Sequence, residues 1–355
     1  MSEMISIKIV YNKELRALIN KLKQIGLNSN GIIFGGLVRS DIIGCYYRKE
    51  FFKKKLDNSK YWDTNYDIQT NKRTIIPNDM DIYFKNEENV NKYVIAINNY
   101  VKQFKGSLKI VDNCSRHLRY LSLNNNICHK KIYIDIKIGF TINYSGIRIK
   151  YNIDILYLNN TGSILEDKYI EPPFNNLDFL CNIFLMERIN NNNIVRISNC
   201  SGTPIDKMNY YDKAKITNNI MNDIINGKTS FVRNVENNNS EFINSYRIIK
   251  MLEYGWNIIN LPFNIIKISD ITESEEYKCC ICQDIFDKSC ENKVFEINTY
   301  KTKSYYLHYN CFINHLKAEN RKKYINTETN LIECRCPMRI PFNFKDCYKE
   351  VLYDN

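Results

Sequence analysis

Apolar positions recur at a helical period from Asn12 to Ile25, which places Leu15, Ile19 and Leu22 on one face. The apolar run Gly31-Ile32-Ile33-Phe34 then reads as a short strand that stops at Gly35-Gly36, and Leu37 to Phe52 returns to a helical pattern. Polar residues without a period fill Asp57 to Lys72, as in an inserted loop. Asp81-Ile82-Tyr83-Phe84 predicts a strand and Asn89 to Phe104 a helix. Three further strand-like stretches follow: Leu118 to Leu123, Ile132 to Ile138 and Tyr151 to Leu158. From about Leu177 to Leu261 the pattern is mainly helical, and the charged stretch Lys267 to Lys278 reads as a linker. The alternation predicts an α+β head over 1–160, a mainly helical neck over 161–266 and a small carboxy-terminal module over 274–355.

Composition refines this picture only in places. The chain has 355 residues, 44% of them hydrophobic and 25% charged, enough to bury a core in two or three domains. Asn, Ile, Lys and Tyr are over-used, as in proteins from AT-rich genomes, so Asn124-Asn125-Asn126 and the run Asn190 to Asn193 read as loop padding. A net charge of +11 favours phosphate-bearing partners such as nucleic acid. Codon bias raises Lys for the same reason, and the basic residues are scattered, so charge supports such partners without selecting one. Met1 to Val10 shows no basic stretch followed by an apolar core, and no apolar run approaches a bilayer's thickness. A soluble, intracellular protein with no membrane partner is expected. Eight of the 13 cysteines and two of the four histidines fall between Cys279 and Cys347, which favours metal over disulfides in that compartment.

Two motifs in the head point to phosphate chemistry. Phe34-Gly35-Gly36-Leu37-Val38-Arg39 is a strand running into a helix start, where backbone N–H groups can approach a triphosphate without an intervening Cβ. Arg39 lies one turn into that helix, within reach of a phosphate oxygen. In Asn78-Asp79-Met80-Asp81, the two carboxylates are two residues apart, so an extended backbone points both to one face. Their repulsion is relieved by a cation between them, and Mg²⁺ takes such oxygens together with nucleotide phosphates. Each motif alone is common on surfaces; in this order, on these elements, they reinforce one another.

Here the chain resembles the polymerase-β-type nucleotidyltransferases, in particular the branch of CCA-adding enzymes and bacterial poly(A) polymerases. The likeness spans roughly residues 30 to 260. It continues in Asp178-Phe179-Leu180-Cys181-Asn182-Ile183-Phe184-Leu185 and in Tyr246-Arg247-Ile248-Ile249-Lys250-Met251-Leu252. The resemblance implies triphosphate contacts from Gly35, Gly36 and Arg39, catalytic metal ligation by Asp79 and Asp81, and a place near the nucleotide for Asp178, Asn182 and Arg247. It also implies a third carboxylate on a neighbouring strand, for which Asp135 and Asp154 both qualify, with Asp154 preferred. Two Mg²⁺ ions would then serve nucleotidyl transfer from an NTP to a nucleic-acid end, a protein side chain or a small molecule. Ser40 replaces the family's Asp after the arginine, although Asp41 follows. Asn175-Asn176-Leu177 replaces its paired arginines, and the zinc module leaves no room for the tRNA-holding body. CCA addition is therefore not expected, and an inactive descendant is an alternative.

Cys279-x2-Cys282 and His308-x2-Cys311 are separated by 25 residues. Four such donors in two tight pairs enclose a tetrahedral Zn²⁺ with no open position, which is a structural site. The segment resembles a RING finger. Ile281 matches the aliphatic residue that touches a ubiquitin-conjugating enzyme, and Cys336-Pro337-Met338-Arg339 matches the closing loop. The second RING site is incomplete, because Lys303, Tyr305 and Arg339 stand at expected ligand positions. Cys334 and Cys336, with Cys290, His315 or Cys347, could rebuild it. A treble clef with one zinc is expected. Three functions follow: a Mg²⁺-dependent nucleotidyltransferase with a zinc tail, a RING-type ubiquitin ligase with an inactive head, or a zinc-stabilised interaction protein. The pairing of modules and the Asn-rich composition resemble proteins of large DNA viruses.

Overall fold

The structure, a computed structural model, describes residues 2–53, 79–112, 127–138, 147–158, 170–232, 247–254, 256–260, 264–267, 278–286, 293–298, 304–322, 334–335 and 341–342. It is a mixed helix-and-sheet protein with two compact units. The first comprises Met1–Thr70, Thr74–Leu177 and Cys181–Ile225; the second Asn71–Arg73, Asp178–Leu180 and Asn226–Asn355.

The first unit is built on a seven-stranded sheet in the order β3-β4-β5-β2-β1-β6-β7. Its strands are β1 (Ile32–Phe34), β2 (Asp79–Phe84), β3 (Ser107–Asp112), β4 (Ile127–Ile138), β5 (Ile147–Leu158), β6 (Phe184–Ile189) and β7 (Asn192–Ile197). Only β2 and β5 run parallel. The helices are α1 (Ser2–Asn28), α2 (Gly36–Lys53), α3 (Glu87–Lys102) and α4 (Tyr210–Ile225). Asn86 starts α3 by accepting a hydrogen bond from the Asn89 N–H at 2.9 Å, and Glu87 and Glu88 complement the positive end of the helix.

Strand alternation gives the sheet two different faces. Met80, Ile82 and Phe84 of β2 share one with Ile132, Ile134 and Ile136 of β4 and Ile153 and Ile155 of β5, all of them buried. Helices α1 and α3 cover it through Leu18, Leu22, Tyr93 and Ile97, and the Tyr93 ring lies 5.2 Å from that of Phe84. The other face carries a second apolar cluster of Ile32, Phe34, Tyr83, Leu156, Phe174 and Leu185, with Tyr83 edge-on to Phe174. Continuing along β2 and β5, this face turns polar at Asp81, Asp79 and Asp154.

The expected helices over Asn12–Ile25, Leu37–Phe52 and Asn89–Phe104 and the strands around Gly31–Phe34, Asp81–Phe84, Ile132–Ile138 and Tyr151–Leu158 are present, most of them longer than predicted. Among the described residues, the stretch from Leu177 to Leu261 is not mainly helical. It contains the hairpin β6–β7, which joins the main sheet through β1, besides α4 and the helical residues 247–253. The reason lies in the asparagine run read as padding. Ile189 pairs with Asn192, which leaves Asn190 and Asn191 as a two-residue loop with φ of 48° and 66°. Two left-handed residues make the hairpin turn whose twist matches the strands, and Asn tolerates that conformation. Strand β3 was also unpredicted. The stretches Asp57–Lys72 and Leu118–Leu123 lie outside the described residues.

The first unit also holds a buried carboxylate. Glu171, 1% exposed, receives two hydrogen bonds from the Arg196 guanidinium at 3.1 and 2.7 Å and further ones from Ser198 Oγ and the Asn199 N–H.

The second unit contains the antiparallel sheet β10 (Asn264–Lys267), β11 (Lys293–Asn298) and β12 (Ser304–His308), followed by α5 (Tyr309–Lys322). Its core gathers Phe295, Phe312, Leu307, Ile313 and Leu316. The Phe295 ring stacks on Tyr309 at 4.9 Å and tilts against Phe312 at 4.5 Å. Strand β10 pairs with β11 along its length, so the stretch read as a linker joins parts of a single folded unit. Residues 247–253 belong to this unit too, since Tyr309 donates its hydroxyl to the Leu252 carbonyl and Lys317 pairs with Glu253. Two shorter pairings complete the unit: the parallel pair β8 (Lys228–Thr229) with β9 (Asn257–Ile258), and β13 (Cys334–Arg335) with β14 (Pro341–Phe342).

Candidate metal centre and carboxylate face

The structure brings Cys279, Cys282, His308 and Cys311 together, with their donor atoms all within 4.8 Å of one another. Local backbone explains the first pair. Lys278 and Ile285 form an antiparallel bridge, the Cys279 N–H donates to the Asp284 carbonyl at 2.9 Å, and the Gln283 N–H donates back to the Cys279 carbonyl at 2.9 Å. Gln283 closes this turn at φ 65°. The second pair straddles a strand-to-helix junction, with His308 ending β12 and Cys311 in the first turn of α5. The Cys280 N–H donates to the Tyr306 carbonyl and the His308 N–H to Cys279 Sγ, which ties turn to strand. His308 Nδ1 stands 3.2 Å from Cys282 Sγ and 4.0 Å from Cys311 Sγ, and its ring rests edge-on against Phe286.

The donor set fits zinc. Zn–S of about 2.3 Å and Zn–N of about 2.0 Å put tetrahedral ligands roughly 3.5–3.8 Å apart, close to the spacings found here. Electrostatics points the same way. Burial raises the Cys279 thiol, but N–H groups of Cys282, His308 and Ile281 outweigh it and hold Cys279 below the ordinary thiol range. Burial then pushes Cys311 up to about 12, reinforced by the charge on Cys279 beside it. Several thiolates at this spacing need a cation, and a dication held by all four supplies it. The cluster could thus hold a metal ion such as zinc. Cys334 lies in β13, while Cys336, Cys290 and Cys347 lie outside the described residues.

In the first unit, Gly35 ends β1 with φ 72°, and Gly36 opens α2. Phe34 faces Asp81 in the register of β1 and β2, and a Cβ on Gly35 would stand 3.0 Å from Asp81 Oδ2. Position 35 therefore favours glycine for its left-handed backbone, and a side chain there would crowd the carboxylate beside it. Gly35→Ala should cost about 1–2 kcal/mol from the left-handed backbone alone, measured by urea unfolding. Arg39 Nη1 donates to Asn182 Oδ1 at 2.8 Å, uniting two residues predicted from separate motifs. Ser40 is buried, and Asp41 pairs with Lys23 of α1. In the second unit Asp178, 8% exposed, pairs with Arg247, again joining two predicted positions.

Asp154 is the register partner of Asp81 on the parallel strand β5, and Asn152 that of Asp79. Asp79, Asp81 and Asp154 thus line one face of neighbouring strands about 4.8 Å apart. Asp135 shares that face but lies on β4, four residues along from Lys131, the partner of Asp154. That is about 13 Å at ~3.3 Å per residue. Asp135 is held instead by a two-pronged Arg148 contact at 2.6–3.0 Å, which lowers its carboxyl below the usual range. Two residues on β4 were not anticipated. His129 Nε2 lies 2.8 Å from Asp154 Oδ1, and Lys131 Nζ donates to Asp154 Oδ2 at 3.0 Å. Burial raises the Asp154 carboxyl, yet these two bonds outweigh it and hold it below the ordinary range. Burial alone would lower Lys131, but its bond to Asp154 raises it instead. No spacing rule finds such residues, because only the sheet register brings β4 alongside β5.

The chain matches no protein-family model, no curated protein and no solved structure. Fold and cluster define a mixed α/β protein with a cysteine–histidine site able to hold zinc. Among the described residues, no helix is long and apolar enough to cross a membrane.

Proposed function

We propose that the chain is a Mg²⁺-dependent nucleotidyltransferase carrying a RING-like zinc-binding module. The observation that carries this reading is the position of Asp81. Its carboxylate lies against Gly35 where β1 turns into α2, with Asp79 on the same face of its strand and Asp154 beside it. A triphosphate at the start of α2 would meet backbone N–H groups unobstructed at two glycines. Asp79 and Asp81 would hold Mg²⁺, which when bound supplies neutralisation of the phosphates. Arg39, oriented by Asn182, adds a fixed positive charge on the same helix. The net charge of +11 suits a nucleic acid as acceptor.

The test is incubation with each labelled NTP and Mg²⁺, following label on RNA, on protein and in released pyrophosphate. Asp81→Ala should weaken Mg²⁺-dependent nucleotide binding at least about a hundredfold, since loss of even an outer-shell metal partner costs ~10–100-fold. Its circular dichroism should match that of the wild type. Calorimetry showing no Mg²⁺-dependent binding of any NTP to the wild type would overturn the reading.

A second reading, a RING-type ubiquitin ligase with an inactive head, draws support from Ile281. It is 37% exposed on the turn between Cys279 and Cys282, where a partner's surface could cover it. Under that reading Ile281→Ala weakens binding of a ubiquitin-conjugating enzyme and leaves zinc content unchanged.

A further inference from the structure

Both oxygens of Asp154 are engaged by cationic or hydrogen-bonding groups of the chain itself: Oδ1 by His129 Nε2 at 2.8 Å and Oδ2 by Lys131 Nζ at 3.0 Å. Lys131 is the register partner of Asp154, as Asp154 is of Asp81, so the three residues stand side by side across β4, β5 and β2. The lysine is well held. Its side chain is 26% exposed, and its ammonium also lies 5.9 Å from the centre of the Tyr133 ring. We infer that Lys131 is the fixed cation of the carboxylate face: held on Asp154 from the β4 side, it keeps a second divalent ion from binding between Asp81 and Asp154. This inference rests on the nucleotide-binding reading given above.

The physical reasoning is direct. Two-metal sites place their ions about 3.5–4 Å apart, bridged by shared carboxylates. An ammonium already bonded to Asp154 removes one bridging oxygen and repels a dication at that distance. A lysine ammonium brings its charge on a tether, without a coordination shell to complete. The head should therefore take one divalent ion with each nucleotide, on Asp79 and Asp81, and Lys131 should supply positive charge on the Asp154 side.

The experiment counts Mn²⁺ by electron paramagnetic resonance on the zinc-loaded full chain, titrated with saturating non-hydrolysable NTP analogue. Wild type is expected to bind one Mn²⁺ per chain, and Lys131→Ala two. Lys131→Gln should also bind two if charge is what excludes the ion, and Lys131→Arg should return the count to one. Two ions in the wild type, or one ion in every variant, would overturn the role of Lys131 while leaving nucleotide binding intact. No nucleotide-dependent Mn²⁺ in any protein would overturn the nucleotidyltransferase reading itself. Matching thermal midpoints for Lys131→Gln and wild type would show that a changed count reflects the site and not the fold.

Discussion

Removal of zinc is expected to unfold the segment containing β11, β12 and α5. Structural zinc bound by cysteine and histidine contributes roughly 10–16 kcal/mol to small modules, comparable to or more than the ~5–15 kcal/mol that holds a typical domain together. The four candidate ligands come from a tight turn, a strand end and a first helical turn, so a bound metal would fasten those three pieces to one another. Elemental analysis of freshly purified protein should give about one zinc per chain from the four-ligand count. With a strong chelator, amide exchange across 293–298 and 304–322 should accelerate by orders of magnitude. The seven-stranded sheet, which contributes none of the four ligands, should keep its protection. Cys282→Ser should reproduce the chelated state. Protein purified without chelator and still free of zinc would refute the assignment, and two zinc ions per chain would place a second site around Cys334 and Cys336.

The second large effect is expected at Arg196. Glu171 is almost wholly buried, and Arg196 gives it both of its guanidinium contacts while also reaching Glu187. Burial lowers the arginine's affinity for its proton, but its bonds to Glu171 and Glu187 outweigh that and raise it above the ordinary range. Arg196→Met keeps much of the stem and leaves the Glu171 carboxylate in a dry site with only Ser198 and the Asn199 N–H. Breaking a buried pair from one side costs about 3–5 kcal/mol. The remaining two donors place the expected loss nearer ~3 kcal/mol. Urea unfolding at neutral pH measures it. The double variant Arg196→Met with Glu171→Leu, which removes both charges, should recover most of the loss. A single variant within about 0.5 kcal/mol of wild type would refute the expected contribution of the Arg196–Glu171 pair.

What was legible in the sequence follows from which physical signals are local. Helices α1, α2 and α3 announce themselves by period, and β2, β4 and β5 by short apolar runs between polar breaks. The four-residue zinc cluster is legible because both of its pairs are close in sequence. Strand β6 was not. Phe184, Leu185 and Met186 are all buried, so the run lacks alternation, and its turn is made of the residue type that also fills loops. Among the carboxylates, the sequence left both Asp135 and Asp154 open, with Asp154 preferred. Register separates them, because only Asp154 lies opposite Asp81. His129 and Lys131 belong to the same class, since their roles exist only once β4 lies against β5.

The second unit includes a strip of three residues drawn from far upstream. Phe179 bridges to Phe231 with rings 5.4 Å apart, the Leu180 N–H donates to the Ser230 carbonyl, and the Val232 N–H donates to the Asp178 carbonyl. Asp178 also supplies the partner of Arg247. A gene cut to begin at Asn226 would therefore encode a product with a buried phenylalanine uncovered and an arginine stripped of its carboxylate. Moving the zinc-binding portion between proteins by one recombination event would leave that strip behind. Transplants that work should carry a substitute for 178–180.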